Sequence, residues 1–273
     1  MRSVWLYLFL GVSMATATSV MADVPRQIQI CGMEGEWPPY AYFKRENGKI
    51  TGEVVGSSIS TIKKILGKHH ISATITLIPW RRCLAEVASG RYAMLLDASV
   101  NAERERSYLI SRTFYTLHDV YFYSANRPAP KIETVADLRI VKICGEAGFN
   151  YLNFDVPQNE IDAESSSFKN AMDKLKAGRC DAVLGRLEIA AGHRYVNGID
   201  YTQSTEFEWR TLPGTSESTF HIMISRNVPF ASELLDLINR ELADLIRNST
   251  RSENYAFKAI TQKSYSKLSI NKQ

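Results

Sequence analysis

The sequence predicts an α/β protein of two lobes with a cleft between them, on three observations. Strand-like and helix-like segments alternate from Gln27 to Leu96. A proline-rich break, Asn126-Arg127-Pro128-Ala129-Pro130, separates that run from a second of the same kind, and a last strand and amphipathic helix then follow. Such alternation predicts mostly parallel sheets with right-handed crossovers, and a cleft between two lobes is a favoured ligand site.

Taken in order, Gln27-Ile28-Gln29-Ile30 alternates as a strand and runs into Cys31-Gly32. The prolines of Trp37-Pro38-Pro39-Tyr40 disfavour helix and central strand, so a rigid loop follows. Ala41-Tyr42-Phe43 and Lys49-Ile50-Thr51-Gly52 make a hairpin turning at Asn47-Gly48. Ser57 or Ser58 caps a helix with Ile59, Ile62 and Ile65 on one face. Then come the strand Ala73–Ile78, the corner Pro79-Trp80-Arg81-Arg82, a helix through Leu84 and Val87, and the buried strand Tyr92-Ala93-Met94-Leu95-Leu96. After the strand Asp119–Ser124 and the break, the pattern restarts. It gives the strand Ile140–Cys144, a helix from Phe168 to Lys176 stopped by Gly178, and the strand Asp181–Gly185. Phe220–Ile224 is a strand, and Leu234, Ile238, Leu242 and Leu245 mark an amphipathic helix.

The chain has 273 residues and a formal charge of +4. Without a basic stripe, that balance is no argument for nucleic acid. Residues 1–22 read as a cleavable signal peptide: Arg2, an apolar run from Val4 to Val12, and small residues before Asp23. The expected product is exported and free of the membrane. Cys31, Cys83, Cys144 and Cys180 fit no zinc spacing and allow three pairings if all are bridged, with Cys144–Cys180 conceivable from its strands. No metal site or cofactor is expected.

The stretch Asp97-Ala98-Ser99-Val100-Asn101-Ala102-Glu103-Arg104 ends a buried strand with a carboxylate, a hydroxyl and, beyond them, a fixed cation. Ligands of open α/β sheets bind beyond the carboxyl ends of the strands, so Asp97, Ser99 and Arg104 belong at the mouth of a site. The alternative is that Asp97 caps a turn and Arg104 lies on a solvated helix.

Four blocks resemble the type II periplasmic solute-binding proteins of family 3, the polar amino-acid binders of ABC importers. They are Trp37–Tyr40 with Asn47–Gly52, Asn101–Arg104 with Ile110-Ser111, Ala136-Asp137-Leu138, and Gly178–Gly185. The resemblance implies a signal peptide over 1–22, a first lobe over 23–120, a second over 121–218, and a return to the first over 219–273. Two hinge strands join the lobes. It implies that Arg104 clamps a ligand carboxylate, a shape its planar fork suits. Ser99 adds a hydroxyl, Trp37 and Trp80 stack as pocket walls unless they are core, Glu34 stands where the family often has an acid, and Phe149 or Asn150 stands where the second lobe offers donors. Two departures bear on the ligand. Arg186 stands where such binders carry the aspartate that holds an ammonium group, and either draws an anion or faces solvent. Asp97 stands where the family usually has a small hydroxyl residue, so the ammonium partner is expected to have moved to the other lobe. Arg81 and Arg82 face the cleft or the solvent.

A small polar or anionic solute is therefore the expected partner, with an ABC permease or a membrane sensor reading the closed, monomeric protein. An enzyme of the cyclohexadienyl dehydratase kind on the same fold is the alternative, with Glu34 or Asp97 near Arg104 as acid or base; the absence of a recognisable nucleophile and base pair favours binding.

Overall fold

The computed structural model describes residues 23–249 apart from Asp155, Pro213, Thr215 and Ser216. The expected signal peptide and the tail beyond residue 249 lie outside the described residues. In the first half, β1 (Gln27–Met33), β2 (Tyr42–Glu46), β3 (Lys49–Val55), α1 (Ser57–Lys68), β4 (Ser72–Ile78), α2 (Trp80–Ala88), β5 (Met94–Ser99), α3 (Ala102–Ser107), β6 (Tyr108–Ile110) and β7 (Tyr115–Leu117) follow one another. Next come β8 (Asp119–Ser124), β9 (Ile143–Glu146), β10 (Ile161–Ser165), α4 (Phe168–Lys176), β11 (Ala182–Arg186), α5 (Leu187–Gly192) and β12 (Phe207–Thr211). The chain closes on β13 (Ser218–Ser225) and α6 (Ala231–Ser249).

These strands form two sheets, one per lobe. The first runs β4-β1-β5-β13-β6, with β7 also on β13; the second runs β10-β9-β11-β8-β12. In each, three strands linked through helices are parallel and the remaining pairings are antiparallel. The mixture has a simple origin, because the chain crosses between sheets at β7–β8 and again at β12–β13 and must run back alongside strands already in place. Those two crossings are the hinge strands.

Local sequence explains the pieces. Asn47 and Gly48 both take positive φ, 51° and 76°, which is the two-residue turn that joins β2 and β3 without splaying them. The helix α1 lays Ile59, Ile62, Ile65 and Leu66 on the first sheet, and α6 adds Leu234, Ile238 and Leu242 to the same core. The second lobe has its own cores on both sheet faces, one around Phe168, Met172 and Leu175 and one around Tyr121, Tyr151 and Phe154. A small apolar cluster of Trp37, Tyr40, Leu117, Ile189 and Phe220 lies where the two lobes meet.

The cysteines pair as Cys31–Cys83 and Cys144–Cys180, each with Cα atoms 5.8 Å apart. The first pins α2 to β1, and the second joins β9 to the turn before β11.

Candidate functional site

A cavity opens between the lobes, the place where ligand sites of two-lobed proteins are favoured. Four aromatic side chains, Trp37, Trp80, Phe149 and Phe220, wall it, and Met33 and Leu96 add apolar surface. Its polar lining is Asp97, Ser99, Arg104 and Asn150.

Arg104 gets there because of its helix. The side chain of Asn101 accepts a hydrogen bond from the Arg104 N–H at 2.8 Å and caps α3, so the cap is Asn101 and not Asp97. Glu103, Glu105 and Arg106 face solvent while Arg104 turns inward and is 6 % exposed. Its guanidinium donates to the Ser99 carbonyl at 2.8 Å, to the Ser99 hydroxyl at 3.5 Å and, across the cleft, to the Gly148 carbonyl at 3.4 Å. It also lies 5.6 Å from the Trp80 ring centre. Burial lowers its pKa to about 10, against weaker opposition from Tyr108 and Glu103.

Asn150 reaches back from the second lobe. Its Nδ2 donates to the Ser99 hydroxyl at 3.1 Å and to the Val100 carbonyl at 3.0 Å. Of the two residues expected to offer donors from this loop, Asn150 is the one that donates, and Phe149 lines the cavity wall.

Asp97 sits at positive φ, 63°, a conformation that a non-glycine residue takes at a cost. Its Oδ1 accepts from the Ser58 hydroxyl at 2.5 Å and the Tyr115 hydroxyl at 2.9 Å. Burial raises its pKa to about 6 in spite of those two bonds. Tyr115 in turn accepts from the Trp37 indole N–H at 3.0 Å and is stacked between Tyr40 and Phe220. Ser58, Tyr115 and Phe220 escape the sequence reading as site residues; α1 is capped at Gly56 with no side-chain cap, so neither Ser57 nor Ser58 caps it, and the Ser58 hydroxyl goes to Asp97 instead.

A model of the bacterial extracellular solute-binding proteins, family 3, matches residues 30–257. The chain belongs to that family. No curated protein matches it. Among solved structures, an amino-acid ABC transporter substrate-binding protein is 18% identical with a TM-score of 0.66, over 87% of this chain and 98% of that one. An ABC uptake transporter substrate-binding protein from Streptococcus pneumoniae with bound histidine is 18% identical at 0.66, over 87% and 92%. An amino-acid ABC transporter substrate-binding protein from the same species, bound to L-arginine, is 19% identical at 0.67, over 86% and 96%. At these identities the likeness establishes the two-lobe fold.

Within this family 3 protein, seven of the nine residues singled out from sequence line one cavity: Trp37, Trp80, Asp97, Ser99, Arg104, Phe149 and Asn150. Glu34 does not. It is exposed, and the buried acid of its loop is Glu36, which binds Arg45 through both carboxylate oxygens at 2.8 and 2.7 Å and takes the Phe43 N–H at 2.8 Å. Arg186 does not either, and it faces neither cleft nor solvent. It is fully buried with its Nε 3.0 Å from Asp119 Oδ1, over the rings of Phe154 at 4.4 Å and Phe149 at 5.1 Å. Phe149 and Phe220, which line the cavity, pack against this cation. Asp119 also accepts from the Ser218 hydroxyl at 2.8 Å, so the Arg186 pair ties β11 to both crossing strands. Arg81 and Arg82 are exposed, the latter paired with Glu86.

Among the described residues no group of three His, Cys, Asp or Glu is placed to hold a metal ion, and no helix is long and apolar enough to cross a membrane.

Proposed function

We propose that this chain captures a small, amino-acid-like solute between its lobes for an ABC importer, with the solute's carboxylate on Arg104. One observation carries the reading. Arg104 is a buried cation on a cavity wall, and its hydrogen-bond partners are the neutral oxygens of Ser99 and Gly148. A buried charge is costly until it meets a counter-charge, and a carboxylate matches the guanidinium fork with two bonds. Ser99 and Asn150 add hydrogen bonds, while Trp37, Trp80 and Phe149 supply stacking surface. The solved relatives holding arginine and histidine support the class of solute.

The lobes, residues 23–120 with 219 onward and residues 121–218, close about the two crossing strands by hinge motion. The leader 1–22 directs export to the periplasm, and a membrane permease reads the closed monomer. Binding, and not chemistry, is the task of the site.

The test is thermal unfolding of the protein from Asp23 onward against a panel of amino acids and organic anions. A solute at about 100 times its dissociation constant stabilises the native state by about 2.7 kcal/mol, a shift of a few degrees in a protein this size. Arg104→Ala is expected to abolish the shift. A shift that survives in Arg104→Ala, or product accumulating in the mixture, overturns the proposal.

A further inference from the structure

The described residues lining the cavity include one base, Arg104, and one acid, Asp97. Both come from the first lobe, Asp97 from β5 and Arg104 from α3. The second lobe contributes Phe149 and Asn150, which carry no charge, because its own buried cation is turned away into the Asp119 pair. The charges on the wall therefore balance within a single lobe.

The acid is held as a receptor would be. Its backbone occupies a left-handed conformation, φ 63°, that non-glycine residues adopt at a cost, a smaller one for aspartate and asparagine than for most. Both hydroxyl donors, Ser58 and Tyr115, land on Oδ1, which fixes the plane of the carboxylate and leaves Oδ2 outside that network. Tyr115 is itself anchored by the Trp37 indole, so the acid and the aromatic wall are oriented as one unit. Aromatic faces beside a carboxylate suit an ammonium group, which gains from both. A lone anion in this cavity would meet Arg104 favourably and Asp97 unfavourably.

Building on the capture reading above, we propose that Asp97 is the acceptor for a cationic amine on the solute. The solute is then a compact zwitterion held at both charged ends by the first lobe, over which the second lobe closes with the neutral side chains of Phe149 and Asn150. Charge selects the solute on one lobe, and closure adds shape and hydrogen bonds.

The experiment compares matched probes by calorimetry on the protein from Asp23 onward: L-amino acids, and the carboxylic acids that lack only the amine, such as propionate against alanine and 3-phenylpropionate against phenylalanine. The native protein is expected to bind its best amino acid at least tenfold more tightly than the deaminated counterpart. Asp97→Asn keeps an oxygen for Ser58 and Tyr115 and tolerates the same backbone, so it should lose that preference while still binding the carboxylic acid. An unchanged preference in Asp97→Asn, or a native protein that favours the deaminated acid, overturns the inference and leaves capture by Arg104 standing. Binding of neither probe set overturns the capture reading and this inference together. If Asp97→Asn does not fold, the native protein's preference decides alone, with Tyr115→Phe expected to weaken amino-acid binding more than acid binding.

Discussion

Two buried acids illustrate how differently single residues can be used. Asp119 has a matched partner in Arg186 and a hydroxyl on both oxygens, and so holds the hinge region together. Glu146 has far less: burial raises its pKa to about 8, the Phe168 N–H and distant Arg186 offset this only partly, and Oε2 has no hydrogen-bond partner. A carboxyl with a raised folded pKa binds its proton more tightly folded than unfolded. Stability is therefore lost as pH rises from the unfolded value through the folded one. Glu146→Gln removes that loss. It is expected to raise the melting temperature by a few degrees at pH 8, where the ionised glutamate costs on the order of 2–4 kcal/mol, and to change little near pH 4.5. Equal effects at both pH values, read by calorimetric melting, would show that the glutamate's ionisation is not the cause. The same contrast shows where sequence stops. The position of Arg186 at the end of an apolar strand was legible, but its partner and the face it takes depend on Asp119, 67 positions away in the chain and adjacent across the sheet.

At the scale of elements, the seam between the lobes depends on close backbone approach. A Cβ on Gly192, at the end of α5, would lie 2.3 Å from the Pro38 carbonyl oxygen and 2.7 Å from the Pro39 nitrogen. These neighbours are backbone atoms of a loop held by its own hydrogen bonds, so they cannot yield as a side-chain tip would. Gly192→Ala is expected to leave both lobes folded but to hold them apart. Solution scattering should then show no compaction when amino acid is added, and affinity should fall tenfold or more. Compaction equal to the native protein's would sink this account of the seam. Much at this scale was readable in advance. The hairpin followed from Asn47-Gly48, the long helix from leucines and isoleucine at three- and four-residue spacing, and the cavity wall from tryptophans beside prolines. The Cys31–Cys83 pairing was not, because it joins a strand to a helix that only the fold brings within 5.8 Å. Tyr115 was missed for the same reason: its role comes from being stacked between Tyr40 and Phe220, contacts made across chain separations that no local pattern records.

The whole molecule inherits a pH dependence from these parts. Asp97 is raised by burial from 3.8 to about 6, and Glu146 from 4.5 to about 8, so each removes stability as pH climbs through its own window. His118 lies at a crossing between the lobes and faces Glu188, Glu217 and the neighbouring Asp119; the Glu188 hydrogen bond raises its pKa above 6.5. A raised histidine contributes stability that is complete below the unfolded pKa and is lost as pH rises through the folded one, which is the same direction. Opposing them, Glu46, Asp137 and Glu241 are lowered by hydrogen bonds, to Lys44, to Thr134 and Glu133 N–H groups, and to Lys68, so their contribution fades as pH falls below 4.5. They are solvated, and solvated pairs contribute little. Buried His193 opposes Asp97, Glu146 and His118 too, since burial lowers its pKa to about 4 and its stability is lost as pH falls from 6.5 toward that value. The free protein should accordingly melt progressively lower from pH 6.5 to pH 8, where Glu146 and His118 act in the same direction. A bound zwitterion reverses part of this, since an amine beside Asp97 favours its ionised form and binding then releases the proton that the free acid holds. The rise in melting temperature given by a saturating amino acid should therefore grow between pH 5 and pH 7. A solute read by Arg104 alone would give a rise that stays level or shrinks over the same interval, because ionising Asp97 then opposes the bound anion.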